Sequence, residues 1–149
     1  MILISHRGNI NGKIPEKENE PISVEKTLRL GYDVEIDVWL VDHGFYLGHD
    51  SPKYQVSYDW FFMWSERMWI HCKNIEVLKF LLPSSLNYFW HESDTITITN
   101  RKFIWAFPGK QPINGSIAVL PELNNDDISQ CVGICSDVIA KYNDSTNSF

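Results

Sequence analysis

His6-Arg7-Gly8, Glu35-x-Asp37 and His49-Asp50 are the residues of this chain whose types and spacing could do chemistry. Glu35 and Asp37 stand two apart, so on an extended strand both side chains leave the same face. Two carboxylates on one face repel unless protons or a cation intervene. A hard divalent cation held through oxygens is the simplest answer. Histidine can accept or donate a proton near neutral pH, so His6 and His49 beside such a pair suit acid and base work.

The elements that must position these groups are legible as short apolar runs. Residues 2–5 read as a buried strand ending at His6. Residues 32–40 read as a second strand, with Glu35, Asp37 and Trp39 on one side and Val34, Ile36 and Val38 on the other. Asp42-His43-Gly44 predicts a tight turn into 45–47, a hairpin that brings His49 back towards the carboxylates. Between the first two strands lie a polar loop, 9–20, and a short helix over 24–30 capped by Ser23.

Ser57 is placed to cap an aromatic helix running to about residue 67. Residues 68–72 predict a third strand ending His71-Cys72-Lys73, and Asn74 caps a helix over 75–82. A fourth strand over 86–90 delivers His91 and Glu92. Segments 95–99 and 103–107 read as strands too close together for a helix between them. A further strand is expected over 115–120, a short helix over 125–132 and a last strand over 133–137. Residues 143–149 are polar and expected to fray. In a parallel β/α sheet or barrel, strand ends and the loops after them form one site.

Composition narrows the classes. A chain of 149 residues suits a single domain spanning 1–149. The net charge is -6, from 13 basic and 19 acidic residues, with no basic stripe; this disfavours nucleic acid as a bulk partner. Cys72, Cys131 and Cys135 make an odd count with no second pair for zinc, which suits a reducing cytoplasm. The apolar run at residues 1–4 is cut short by His6 and Arg7, unlike a secretory signal, and no segment reaches the length of a membrane span.

His6-Arg7-Gly8, Glu35-x-Asp37 and His49-Asp50, in that order and at this spacing, resemble the glycerophosphodiester phosphodiesterase family of the phosphatidylinositol-phospholipase-C-like (β/α) barrels. The resemblance covers residues 2–50 and returns at 69–73 and 131–137. It implies an α/β fold, a reduced or irregular TIM-type (β/α) barrel with several helices shortened or missing, since a full barrel takes roughly 250 residues. It implies a metal-dependent phosphoric diester hydrolase of lipid metabolism, acting on a small glycerophosphodiester-like or polyol phosphodiester. Glu35 and Asp37 match the family's first two metal ligands. The third, normally a carboxylate two residues before a lysine, falls at His71, with Lys73 as that lysine.

One divalent ion is therefore expected, magnesium or calcium first, with manganese or zinc brought in by the imidazole. The resemblance casts His6 as base and His49 as acid, and Arg7 and Lys73 as partners of the phosphate charge. Glu92 and Trp105 are candidates for the substrate wall, and Glu92 also for the third ligand if His71 is not one. Glu18 or Asn19 stands where the family sends a loop into the site. The alternatives are a phosphate-binding relative with little or no turnover and, behind it, a metal-dependent nuclease. A barrel short of helices would leave apolar strand faces bare, so a homodimer is expected to cover them.

Overall fold

A computed structural model describes residues 1–143. Its axis is β2 (Asp33–Val41), nine residues long and the longest strand. β1 (Ile2–His6) runs parallel to it along one edge, with His6 opposite Glu35. Further along that same edge lies β3 (Gly44–Leu47), antiparallel, followed by β4 (Tyr54–Val56). The other edge of β2 takes β5 (Met68–Cys72), parallel, with Asp37 opposite His71. The register thus sets an imidazole beside each carboxylate.

Beyond β5 comes β6 (Tyr88–Trp90). Beyond β1 come β10 (Gly133–Ser136), β9 (Ile117–Val119) and β8 (Ile104–Ala106), all parallel, and then β7 (Ile96–Ile98), antiparallel to β8. This is a curled half-barrel of mixed strands, not the TIM-type barrel expected from the sequence. The physical reason lies in the connections. After α3 (Ile75–Leu81) the described residues contain no α-helix until the single turn of α4 (Ala140–Asn143). Residues 99–103 turn tightly between antiparallel neighbours, with Thr99 N donating to Phe103 O (2.9 Å). The expected helix over 125–132 does not form, and only a 3-10 turn, Pro121–Leu123, occupies that crossover.

Alternation divides the sheet into two cores. Val34, Ile36 and Val38 of β2 and Met68, Ile70 and Cys72 of β5 face outwards. There they meet Val24 and Leu28 of α1 (Pro21–Arg29), Trp60 and Phe61 of α2 (Tyr58–Phe62), and Val77 and Leu81 of α3. α1 begins on Pro21, two residues before the expected cap, because proline is pre-set for a first helical position. Ser57 does cap α2, accepting from Trp60 N (3.2 Å), but the helix ends at Phe62 rather than near residue 67. The inward faces pack Ile4, Trp69, Phe89, Trp105, Ile117, Val119 and Cys135 into a second core. No helix covers β7, where Ile96 and Ile98 are exposed. Among the described residues no helix is long and apolar enough to cross a membrane.

The sheet's two margins are pinned by one residue. Asn100 N donates to Tyr88 O (2.9 Å), its Oδ1 accepts from Tyr88 N (2.8 Å), and its Nδ2 donates to Leu86 O (2.8 Å). Replacing Asn100 with Ala removes two of these bonds, which we expect to cost about 1–2 kcal/mol. A urea midpoint that falls with an unchanged slope would bear this out, whereas an unmoved midpoint would remove Asn100 from the closure.

Candidate functional site

Glu35 and Asp37 leave the inward face of β2, as their spacing requires, and are 3% and 0% exposed. Asp37 is gripped from several sides. Its Oδ2 accepts from Asn19 Nδ2 (2.9 Å) and stands 2.9 Å from Arg7 Nε. Its backbone N–H donates to Asn19 Oδ1 (2.9 Å). Its Oδ1 lies 3.0 Å from His71 Nδ1 and 3.7 Å from Lys73 Nζ. Burial opposes the charge on Asp37, yet His71, Arg7 and Lys73 hold the carboxyl well below the usual carboxylate range. Glu35 goes the other way: burial, and then the charge of Asp37, push it up. Glu35 Oε2 and Asp37 Oδ1 are buried without a hydrogen-bond partner.

His71 bears on what those two oxygens are for. Its Nε2 lies 3.1 Å from the carbonyl oxygen of His91. A carbonyl only accepts, so the hydrogen of a neutral ring sits on Nε2. Nδ1 faces Asp37 Oδ1, 3.0 Å away, and Glu35 Oε1, 3.9 Å away; a proton there bonds to Asp37, and a cation in its place would take the same lone pair. Three electron-rich atoms facing one another call for a proton or a cation between them. One donor atom from each of Glu35, Asp37 and His71 falls within a span of 4.8 Å. Adjacent ligands of an octahedral ion with 2.1 Å bonds stand about 3 Å apart. The donor set is thus geometrically possible for a divalent ion, with the His91 carbonyl holding the ring from behind. Glu92 is exposed on the rim and stands outside this group.

The two proposed acid–base residues sit in different settings. His6 Nδ1 is 2.7 Å from Asp137 Oδ1, and its Nε2 is 3.9 Å from Glu35 Oε2. Burial alone would lower the His6 pKa, but the bond to Asp137 and the charge of Glu35 raise it. Asp137 Oδ1 also accepts from Asn9 Nδ2 (2.8 Å), and Asn9 donates in turn to Glu18 Oε1 (3.0 Å). Glu18 Oε2 lies 3.3 Å from Arg7 Nη1. Behind Asp137, Glu122 Oε1 accepts from Ser136 Oγ (2.7 Å) and from Asp137 N (3.3 Å). His49 is 43% exposed, with Nδ1 2.7 Å from Asp50 Oδ1. Burial and the nearby charge of Arg7 lower its pKa.

Local backbone explains both placements. Arg7 adopts a left-handed conformation (φ 56°), which turns the chain at the end of β1 and sends the guanidinium back over β2. Gly48 (φ 152°) ends β3 with its N–H on Asp37 O (3.1 Å) and its carbonyl on Trp39 Nε1 (2.6 Å). A Cβ there would lie 2.1 Å from Ser51 O, so only glycine allows the loop that carries His49.

A cavity of 460 Å³ opens over this group. His6, Arg7, Glu35, His49, His71, Lys73, Glu92 and Trp105 all line it; Asp37 lies wholly beneath, and Glu18 and Asn19 line a neighbouring cavity instead. Trp39, Trp90 and Phe107 add an aromatic side. Trp105 is 2% exposed and stacks near Trp69 and Phe89, so it serves the inner core and the cavity floor together. His43 lines a separate depression with Leu40 and Phe80. Sequence reasoning missed Asn9 and left Asp137 undecided. Asn9 carries no signal beyond following His6-Arg7-Gly8.

We predict that His71→Ala and Asp37→Asn each weaken binding of manganese by at least about tenfold, read by calorimetry, as expected for loss of one ligand. Glu92→Gln should leave it unchanged; a drop only in that variant would move the third ligand to the rim. Glu35→Gln should also weaken binding while stabilising the metal-free fold. The sign follows from its raised pKa: folding stability falls as pH rises from the unfolded value to the folded one and stays reduced above it, and glutamine carries no such cost. Comparison of this chain with protein-family models, curated proteins and solved structures finds no match, so the reading of the site rests on its own geometry.

Proposed function

We propose that this chain is a metal-dependent phosphodiesterase acting on a small glycerophosphodiester-like or polyol phosphodiester, as its resemblance to the glycerophosphodiester phosphodiesterases implies. The observation that carries the proposal is the gathering of two histidines, two cations and a buried carboxylate–imidazole set around one cavity. Glu35, Asp37 and His71 would hold the ion, with magnesium or calcium as the first candidates and manganese or zinc next. When bound, it supplies positive charge for a phosphoryl oxygen and for the attacking hydroxyl.

The chain's own residues do the rest. Arg7 and Lys73 reach the cavity with their charged ends and balance the phosphate. One histidine removes a proton from the attacking hydroxyl, whether of water or of the substrate, and the other protonates the leaving oxygen. His6, bonded to Asp137, is pushed up and His49, beside Arg7, is pushed down, so His6 holds its proton more tightly than His49. Environments that separate two titrating groups mark the acid and the base. We therefore assign the acid to His6 and the base to His49, the reverse of the roles carried over by the resemblance. Three free cysteines keep a reducing cytoplasm as the proposed setting, and a homodimer would cover Ile96 and Ile98.

A second reading has one observation in its favour. Arg7 and Lys73 already lie within 2.9 and 3.7 Å of Asp37, so part of the buried charge is balanced internally. That arrangement suits a phosphate-binding relative without turnover.

Metal-free protein should be inactive on a phosphodiester panel and regain activity with magnesium, manganese, calcium or zinc. Replacing His6 or His49 with Asn should lower kcat by about 100-fold or more while metal affinity persists. Full activity without metal would sink the mechanism, and phosphate binding with no turnover of any diester would select the second reading. The histidine roles have their own test in Asp137→Asn. Removing the Asp137 charge lowers the His6 pKa, and an acid is lost as pH rises through its pKa. The alkaline limb of the pH–rate profile should thus move to lower pH. Movement of the acid limb instead would make His6 the base.

A further inference from the structure

A second cavity of 420 Å³ adjoins the first, and Arg7, His49 and Asp50 line both. Its far walls are the loop carrying Lys13 and the loop carrying Lys53. The walls are fixed to each other and to the sheet. Tyr54 OH donates to Glu16 O (3.2 Å), and Lys53 N donates to Leu47 O (3.0 Å). The acids on this side are engaged: Glu18 by Arg7 and Asn9, Asp50 by His49. Lys13 and Lys53 make no ion pair among the described residues; Lys53 Nζ only rests 4.7 Å from the centroid of the Tyr54 ring. Two exposed cations without an ion-pair partner thus line this open cleft in a chain of net charge -6.

A phosphate diester has two arms, and the shared residues Arg7 and His49 stand where its phosphorus would be held. From that point one chamber leads past Trp39, Trp90 and Phe107 and the other past Lys13 and Lys53. We propose, resting on the phosphodiesterase reading above, that the substrate is unsymmetrical and that its arm in the lysine chamber carries a second anionic group. A phosphomonoester or a carboxylate has the required chemistry, because an ammonium group binds either as a point charge. The less polar arm lies against the aromatic side.

The test uses a matched pair, glycerophosphoglycerol and the same compound with a terminal phosphomonoester. The wild-type chain should prefer the phosphorylated compound in kcat/KM by about tenfold, the sum expected of two largely exposed charge contacts. The ratio should fall towards one in Lys13→Gln/Lys53→Gln protein and hold in Lys79→Gln protein, whose lysine lines another depression. Calorimetric binding of the same pair reads the arm without turnover. Equal affinity for the two compounds overturns the proposal, as does a preference that survives the double substitution. A preference in binding with no turnover of either compound overturns the phosphodiesterase reading and leaves the anionic arm standing.

Discussion

Two carboxylates buried side by side on the central strand are the constraint to which this structure answers. Each ion taken from water costs several kcal/mol unless it is compensated. The compensation comes from every direction that β2 offers. Arg7 arrives from the end of β1, Asn19 from the loop after it, and His71 and Lys73 from β5. The partners are divided unequally. Asp37 receives most of them and stays ionised, whereas Glu35 has only His6 and His71, each 3.9 Å away. A pair so divided is primed for something that arrives from outside, and His71, tethered by a neighbouring carbonyl, adds a lone pair to the same point.

The loop from Gly8 to Glu20 shows how much positioning a segment without regular structure can do. Asn9 ties β1 to the closing strand through Asp137, Glu18 braces Arg7, and Asn19 fills both hydrogen-bonding sides of Asp37. Asn19 does so in a left-handed conformation (φ 60°), which asparagine tolerates better than most residues. The segment's inner side is committed to the site, while its outer side carries Lys13 to the wall of the neighbouring cleft.

The centre of the site was legible because it depends on alternation. Glu35 and Asp37 share a face by spacing alone, and the pairing of β2 with β5 turns the spacing of His71 and Lys73 into proximity. The outer architecture was not legible in the same way. Three-residue strands such as β6 to β9 are too short for a period to declare itself, and nothing local says whether neighbours run parallel. The expected helix over 125–132 failed for a physical reason. Asn125 takes a left-handed conformation, Asp126 accepts from Gly109 N and Asp127 from Ser129 N, so side chains compete with the helical ladder. Glu122 escaped, and Asp137 stayed undecided, because their roles arise only from the folding of distant segments.

The pairing of β1 with β10 joins residues 131 positions apart, His6 and Asp137. Synthesis proceeds from the amino terminus, so nearly all the reactive groups emerge long before the strand that completes them. A chain stopped short of β10 would carry the carboxylates, the histidines and both cations. It would lack the one carboxylate that orients His6 and the neighbour that seals that edge of the sheet. Assembly of the site is thereby tied to synthesis through β10, and a chain stopped before it would hold these groups without the means to align them.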